Sequence, residues 1–220
     1  MKTIVINGSP KGEGSNTVKL TRAFLSGLGE ADARFYHLAD MEVRPCRGCY
    51  ACWKTTPGEC AVRDGAKDVI EALRGAELVI WSFPLYYFSV PGLLKNLMDR
   101  QLPNLLPFMA ERPDAHGSGS HHPRYDVSGQ RHVVISTCGF YSPEGNYDSV
   151  CGLFDHMCGK GNYAGIFCGQ GELFSRPELR RRTDEYLALV ETAGGIQKRG
   201  FPVGGHAEFD GAAALPERGV

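Results

Sequence analysis

Gly8-Ser-Pro-Lys-Gly-Glu-Gly-Ser-Asn-Thr17 follows the apolar run Thr3-Ile-Val-Ile-Asn7 and leads into a helical pattern. A strand, a glycine-rich loop and a helix in that order are where an open α/β sheet builds a phosphate site. Gly8, Gly12 and Gly14 let the backbone turn tightly and bring N–H groups close to a ligand, and the helix adds its partial positive end. The loop is not G-x-x-x-x-G-K-[ST], because Gly14 is followed by Ser15 and Asn16 with no lysine, so a nucleoside triphosphate with magnesium is not expected. It is not G-x-G-x-x-G either, since Thr17 stands where the third glycine belongs. The donors that remain are Ser9, Ser15, Asn16 and Thr17 with one cation, Lys11. This set suits one terminal monophosphate held mostly by neutral groups. Taken by themselves, the ten residues also read as a capped, glycine-rich turn.

Elsewhere, apolar runs alternate with helical periods, the pattern of a parallel sheet covered on both faces. Strands are predicted at Thr3 to Asn7, Ala33 to His37, Glu77 to Phe83, Arg131 to Thr137 and Tyr163 to Cys168. Helices are predicted from Ser15 to Leu28, ending at Gly29, and from Ala66 to Arg74, ending at Gly75. A third follows Ser89 as N-cap, with Pro91 in its first turn, and a fourth covers Tyr147 to Met157. The last opens on Ser175 and Glu178, spaced as a capping box. The fold class is therefore α/β, a doubly wound five-stranded parallel sheet with helices on both faces. Its ligand crevice lies at the carboxyl ends of the strands. Residues 1–200 read as one domain with insertions near 40–65 and 101–130, and 201–220 as a C-terminal tail. The glycine- and alanine-rich stretch from Gly194 onward is expected to be poorly ordered.

The chain of 220 residues has 24 basic and 25 acidic side chains and a net charge of −1, which gives no electrostatic footprint for nucleic acid or an anionic membrane. Arg180-Arg181-Arg182 shares its helix with Glu178, Asp184 and Glu185 and reads as a solvated face. The first strand begins at the third residue, leaving no room for a secretory signal, and no apolar run approaches a membrane span. A cytoplasmic protein is expected, in which eight cysteines mean thiols, a metal site or redox chemistry rather than disulfides.

Two further loops belong at the edge that carries the phosphate loop. Pro84-Leu85-Tyr86-Tyr87-Phe88 follows the third strand, and Thr137-Cys138-Gly139-Phe140-Tyr141 closes the fourth. Aromatic rings at a crevice rim can stack on a flat ligand, and loop N–H and C=O groups can read its polar edge. Any one of these rings could instead pack beneath an insertion or in a subunit interface. Three loops converging on one crevice point to a planar heteroaromatic joined to a phosphate.

Loop one as GSPKGEGSNT, loop three as FPLYYFSVPG with Leu94-Lys95 and Asp99-Arg100 behind it, and loop four as TCGFY together resemble the flavodoxin-like NAD(P)H-dependent FMN reductases. The similarity is to the branch of multimeric flavodoxins and iron–sulfur flavoproteins, and it covers Met1 to about Gly195. The resemblance implies bound FMN, with Ser9, Lys11, Ser15, Asn16 and Thr17 on the phosphate. Pro84, Leu85, Tyr86, Tyr87, Phe88, Thr137, Cys138, Gly139, Phe140 and Tyr141 would line the isoalloxazine. It implies NAD(P)H as electron donor, a quinone-like or other small-molecule acceptor, and a homodimer or homotetramer in which Arg100 and the insertion after it meet a neighbour. Flavin carries the chemistry in such proteins, so no protein side chain is assigned a catalytic role.

Cys46-x-x-Cys49-x-x-Cys52, with Cys60 eight positions later, is the second strong pattern. Four thiolates in one loop can bind a 4Fe-4S cluster, and the iron–sulfur branch carries a similar run. The long spacer with Trp53 favours metal-free thiols, either buried or redox-active, and a single zinc suits two overlapping C-x-x-C steps least. Cys138, Cys151, Cys158 and Cys168 lack ligand spacing, and His116, His121 and His122 read as exposed loop histidines. Two functional classes follow, an FMN-dependent NAD(P)H oxidoreductase and an electron carrier of iron–sulfur or flavodoxin type. A binding module that keeps the sheet without flavin is a third.

Overall fold

The structure, a computed structural model, describes residues 1–111 and 119–198; His116 and the tail 201–220 lie outside the described residues. Its central sheet joins β1 (Thr3–Asn7), β2 (Arg34–His37), β3 (Leu78–Pro84), β6 (Arg131–Thr137) and β7 (Tyr163–Cys168). The order is β2-β1-β3-β6-β7 and every pair is parallel. This is the doubly wound order, with the chain reversing its direction of travel between β1 and β3.

Both faces of the sheet are covered, which is why its central strands read as unbroken apolar runs. Ile4, Ile6, Val79, Trp81 and Phe83 point into one core, shared with Ile70 of α3 (Ala66–Arg74), Leu94 of α4 (Gly92–Asp99) and Phe154 of α5 (Asp148–Cys158). Val5, Leu78, Ile80, Val133 and Ile135 point into the other, against Leu20 and Phe24 of α1 (Asn16–Leu28) and Val190 of α6 (Arg180–Lys198). The side-chain alternation of a pleated strand thus divides one sequence between two cores.

Helix α1 starts at its cap, Ser15, whose hydroxyl accepts from Thr17 N, and stops at Gly29 in the left-handed region at φ 76°. Two predicted helix starts and the expected disorder from Gly194 need correction. Ser89 does not cap α4; it pairs with Tyr86 through two 3.0 Å backbone bonds, and Pro91 takes the cap position. The Ser175–Glu178 capping box does not form, because Ser175 Oγ donates to Asn16 Oδ1 at 2.9 Å and Pro177 opens a separate 3₁₀ turn, so α6 begins at Arg180. Nor is the chain irregular from Gly194, since α6 continues to Lys198. A Cβ added at Gly27 would stand 1.7 Å from Glu191 O, and one at Gly194 would stand 2.1 Å from Phe24 O. These glycines let α1 and α6 cross at backbone contact.

The two insertions have structure of their own. Residues 40–65 include a short α2 (Ala51–Lys54) and wrap the outer end of α4. The segment after Arg100 forms an antiparallel ribbon of β4 (Leu105–Ala110) and β5 (Ser120–Pro123), irregular in register between Leu105 and Met109. His121 and His122 therefore lie in a strand rather than a loop, with His121 tilted on Trp53 at 4.9 Å.

Candidate functional site

The strand ends bring the phosphate loop against its neighbours through buried polar contacts. Gly8 N donates to Ser82 O at 2.8 Å, and a Cβ at Gly8 would press on Leu94 at 2.7 Å. Thr17 and Thr137 hydroxyls lie 2.6 Å apart, joining the start of α1 to the end of β6. Thr21 Oγ1 donates to Ser82 Oγ at 2.8 Å one turn further along. These hydroxyls are buried and mutually satisfied, so they fix the relative positions of three loops.

Between the loops is a cleft of about 170 Å³. Ser9, Lys11, Ser15, Asn16 and Thr17 line it from the loop after β1, and Pro84, Leu85, Tyr86, Thr137, Cys138 and Gly139 from the loops after β3 and β6. Ser9 Oγ accepts from Lys11 N at 3.2 Å and Ser15 Oγ from Thr17 N at 3.2 Å, so each hydroxyl has its hydrogen left to donate outward. With the N-terminus of α1 and Lys11, these donors fit a phosphate monoester. Burial pushes the Cys138 thiol up, keeping it a neutral wall of the cleft.

Gly171 and Glu172, from the segment after β7, line the same cleft and were not anticipated. Asn16 Nδ2 donates to Gly171 O at 2.9 Å, so Asn16 ties this fourth loop to the first. The available signal was positional: β7 ends at the same sheet edge and is followed by Gly169-Gln-Gly171.

Tyr87, Phe88, Phe140 and Tyr141 stand at the rim rather than in the cleft. Phe88 stacks on Phe140 at 5.4 Å, while Tyr87 is 97% exposed. Tyr87 and Phe88 have φ of 48° and 60°, consecutive left-handed positions in a tight turn. Bulky residues there are strained by roughly 1–3 kcal/mol each, a pattern that clusters at functional sites.

The four cysteines of the insertion form a separate pocket. Cys46, Cys49, Cys52 and Cys60 line a cavity of about 20 Å³ beside Arg100, Leu102 and Pro103. That is room for about one water. Among the described residues, no group of three or more His, Cys, Asp or Glu side chains could hold one metal ion. Arg100 is 1% exposed and spends all five N–H donors on this loop. Nε donates to Cys60 Sγ at 3.2 Å, Nη1 to Arg44 O and Asp64 Oδ2, and Nη2 to Val62 O and Asp64 Oδ1. Burial raises the Asp64 pKa, but the hydrogen bonds from Arg100, Arg44 N and Ala66 N outweigh it and hold the carboxyl below its usual range. Burial, and next the neighbouring Cys60, push the Cys52 thiol up. No disulfide joins any of the eight cysteines.

The family model for NADPH-dependent FMN reductase matches residues 1–113, just over half the chain and including the phosphate loop, the thiol loop and the aromatic loop after β3. The chain belongs to this family. An iron–sulfur flavoprotein of Methanocaldococcus jannaschii is 37% identical over 110 residues, 49% of this chain and 55% of that protein. One from Archaeoglobus fulgidus is 37% identical over 103 residues, 46% and 48% of the two chains. The chain thus spans about half the length of the curated relatives it matches. Among solved structures, an NAD(P)H:quinone oxidoreductase from Methanothermobacter marburgensis superposes at TM-score 0.64 with 16% identity, covering 92% of this chain and 99% of that one. An FMN-dependent NADH-azoreductase from Bacillus anthracis in complex with FMN gives 0.60 with 19% identity, covering 90% and 99%. These superpositions establish the flavodoxin-like fold.

Proposed function

We propose that the chain is an FMN-dependent NAD(P)H oxidoreductase delivering electrons to a quinone-like or other small acceptor. The observation that carries this is the single cleft in which outward-donating hydroxyls at the start of α1 face Pro84, Leu85, Tyr86 and the Thr137–Gly139 backbone. Ser9, Lys11, Ser15, Asn16 and Thr17 would hold the phosphate, and the loops after β3 and β6 the ring. Bound there, FMN would supply the chemistry: hydride acceptance from a nicotinamide and delivery of one or two electrons. The chain's own part would be to hold the phosphate with the loop after β1 and to orient the ring with the loops after β3 and β6. Tyr86, Tyr87, Phe88, Phe140 and Tyr141 are exposed, and a nicotinamide or planar acceptor would stack on them. The same exposed rim, with Phe108 and Met109 on the ribbon, supports assembly of two or more copies. No helix among the described residues is long and apolar enough to cross a membrane, which is consistent with a cytoplasmic setting.

Stopped-flow mixing of the flavin-loaded protein with NADH and NADPH tests the enzyme assignment. Rapid bleaching by either nicotinamide supports it; no bleaching by either, with ready reduction by a small ferredoxin, would make the chain an electron carrier.

That second reading rests on the four thiols around one pocket and on the similarity to iron–sulfur flavoproteins. The donor set suits a 4Fe-4S cluster at Cys46, Cys49, Cys52 and Cys60. The cavity as it stands is too small for one, so binding would require the loop to open, whereas metal-free thiols fit it unchanged. Iron and acid-labile sulfide assays on anaerobically purified protein separate the two.

A further inference from the structure

Two side chains outside the cleft hold the phosphate loop from behind. Asn7, at the end of β1, pairs in register with His37 at the end of β2. Asn7 is fully buried; its Oδ1 accepts from Ser9 N at 3.0 Å and its Nδ2 donates to Gly12 O at 2.8 Å. One backbone donor and one backbone acceptor thus fix which way the carboxamide points. Asn7 Nδ2 also lies 2.8 Å from His37 Nδ1. An amide nitrogen only donates, so His37 Nδ1 must carry the lone pair and Nε2 the proton. His37 Nε2 lies 3.0 Å from Glu13 Oε2, in the same phosphate loop, and Glu13 meets Arg22 of α1 at 2.5 Å.

We propose that Asn7 and His37 are positioning residues that set the shape of the phosphate loop, and that FMN affinity depends on His37 Nδ1 accepting from Asn7. This rests on the assignment of FMN to the cleft. Protonating the ring places an N–H against the Asn7 Nδ2–H. If the carboxamide inverts to relieve that contact, Oδ1 faces Gly12 O and Nδ2 faces Ser9 N–H, and both loop hydrogen bonds are lost. If the ring swings away, the strut to Glu13 is lost instead. Glu13 of the loop faces His37 directly and is itself paired with Arg22 of α1, while the Asp40 carboxylate, in the turn after β2, would stand 3.6 Å from a Cβ at Gly12 of the same loop. Phe35 of β2 stacks on the ring at 5.5 Å. Glu13 reaches only Nε2, so it makes no contact at Nδ1.

The test is FMN affinity of flavin-stripped protein at about pH 8 and about pH 5.5 for wild type, His37→Gln and His37→Leu. Glutamine offers Asn7 an acceptor that does not titrate. The second ionisation of the phosphate, near pH 6, weakens binding in every protein alike, so the readout is the ratio between the two pH values. Wild type should lose about tenfold more affinity on acidification than His37→Gln, one hydrogen bond's worth, and His37→Leu should bind more weakly at both. Equal ratios in wild type and His37→Gln overturn the inference while leaving the FMN assignment standing. Absence of FMN binding by wild type at both pH values removes that assignment and the inference with it. Long-range nitrogen–proton NMR of wild type at about pH 8 needs no variant: the Nε2-protonated tautomer is expected, and an Nδ1-protonated ring refutes the proposal.

Discussion

Ser15 serves two purposes that can be measured apart. As the cap of α1 it satisfies Thr17 N, and as a cleft residue it would, on the proposed function, offer its O–H to a phosphate. Ser15→Ala should lower the stability of flavin-free protein by about 1 kcal/mol, read by urea unfolding. It should lower FMN affinity by roughly tenfold or more, the worth of a hydrogen bond to a charged oxygen. Arg100 is the opposite case, a buried charge whose value is structural. Arg100→Met should cost about 3–5 kcal/mol, because Asp64 is left charged and buried; Arg100→Met with Asp64→Leu should recover a large part of that loss in the same unfolding assay. Both Ser15 and Arg100 lie in motifs visible in the chain. The roles of Asn7 and His37 were not visible, because an asparagine and a histidine at strand ends acquire meaning only when parallel pairing of β1 with β2 sets them side by side.

Among the elements, those with strong local signals were legible: the five parallel strands, α1 with its glycine stop, and the loops at their carboxyl ends. The ribbon after Arg100 was not, since Pro107 interrupts an apolar run and reads as a break, although an irregular edge ribbon tolerates it. The predicted start of α6 failed because tertiary contacts reassigned its cap, with Ser175 bonded to Asn16 across the sheet edge. Gly171 and Glu172 were missed because their segment carries no glycine-hydroxyl signature, only a place beside the other loops. The Tyr86–Ser89 turn carries the clearest element-level prediction. Its two central residues have positive φ, which asparagine and glycine adopt with little strain. Tyr87→Asn with Phe88→Gly should raise the melting temperature of flavin-free protein by a few degrees, as about 1 kcal/mol of strain is released, and should weaken FMN binding. A lower melting temperature would show that the turn stores no strain.

For the whole molecule, the doubly wound sheet explains how four loops distant in sequence meet at one edge, and why the thiol pocket lies apart from it, at the outer end of α4. The fold also carries an acid sensitivity unrelated to the site. His132 sits against Trp81, whose Nε1 donates to His132 Nδ1 at 3.2 Å, and burial pulls the imidazole down to about 4. A folded pKa below the unfolded value of about 6.5 means that the unfolded chain takes up the proton first, so stability present above that pH is lost as pH falls toward about 4. The loss should reach about 3 kcal/mol in wild type and be much smaller in His132→Gln, measured by urea unfolding as a function of pH.

On the proposed function, the hydroxyls and amides around α1 hold a phosphate attached to a flat ring. Titrating flavin-stripped protein with FMN and with riboflavin, which differ only in that phosphate, tests it most directly. FMN should bind at least about a hundredfold more tightly, as several charge-assisted hydrogen bonds require. Equal affinity for the two flavins would contradict the account.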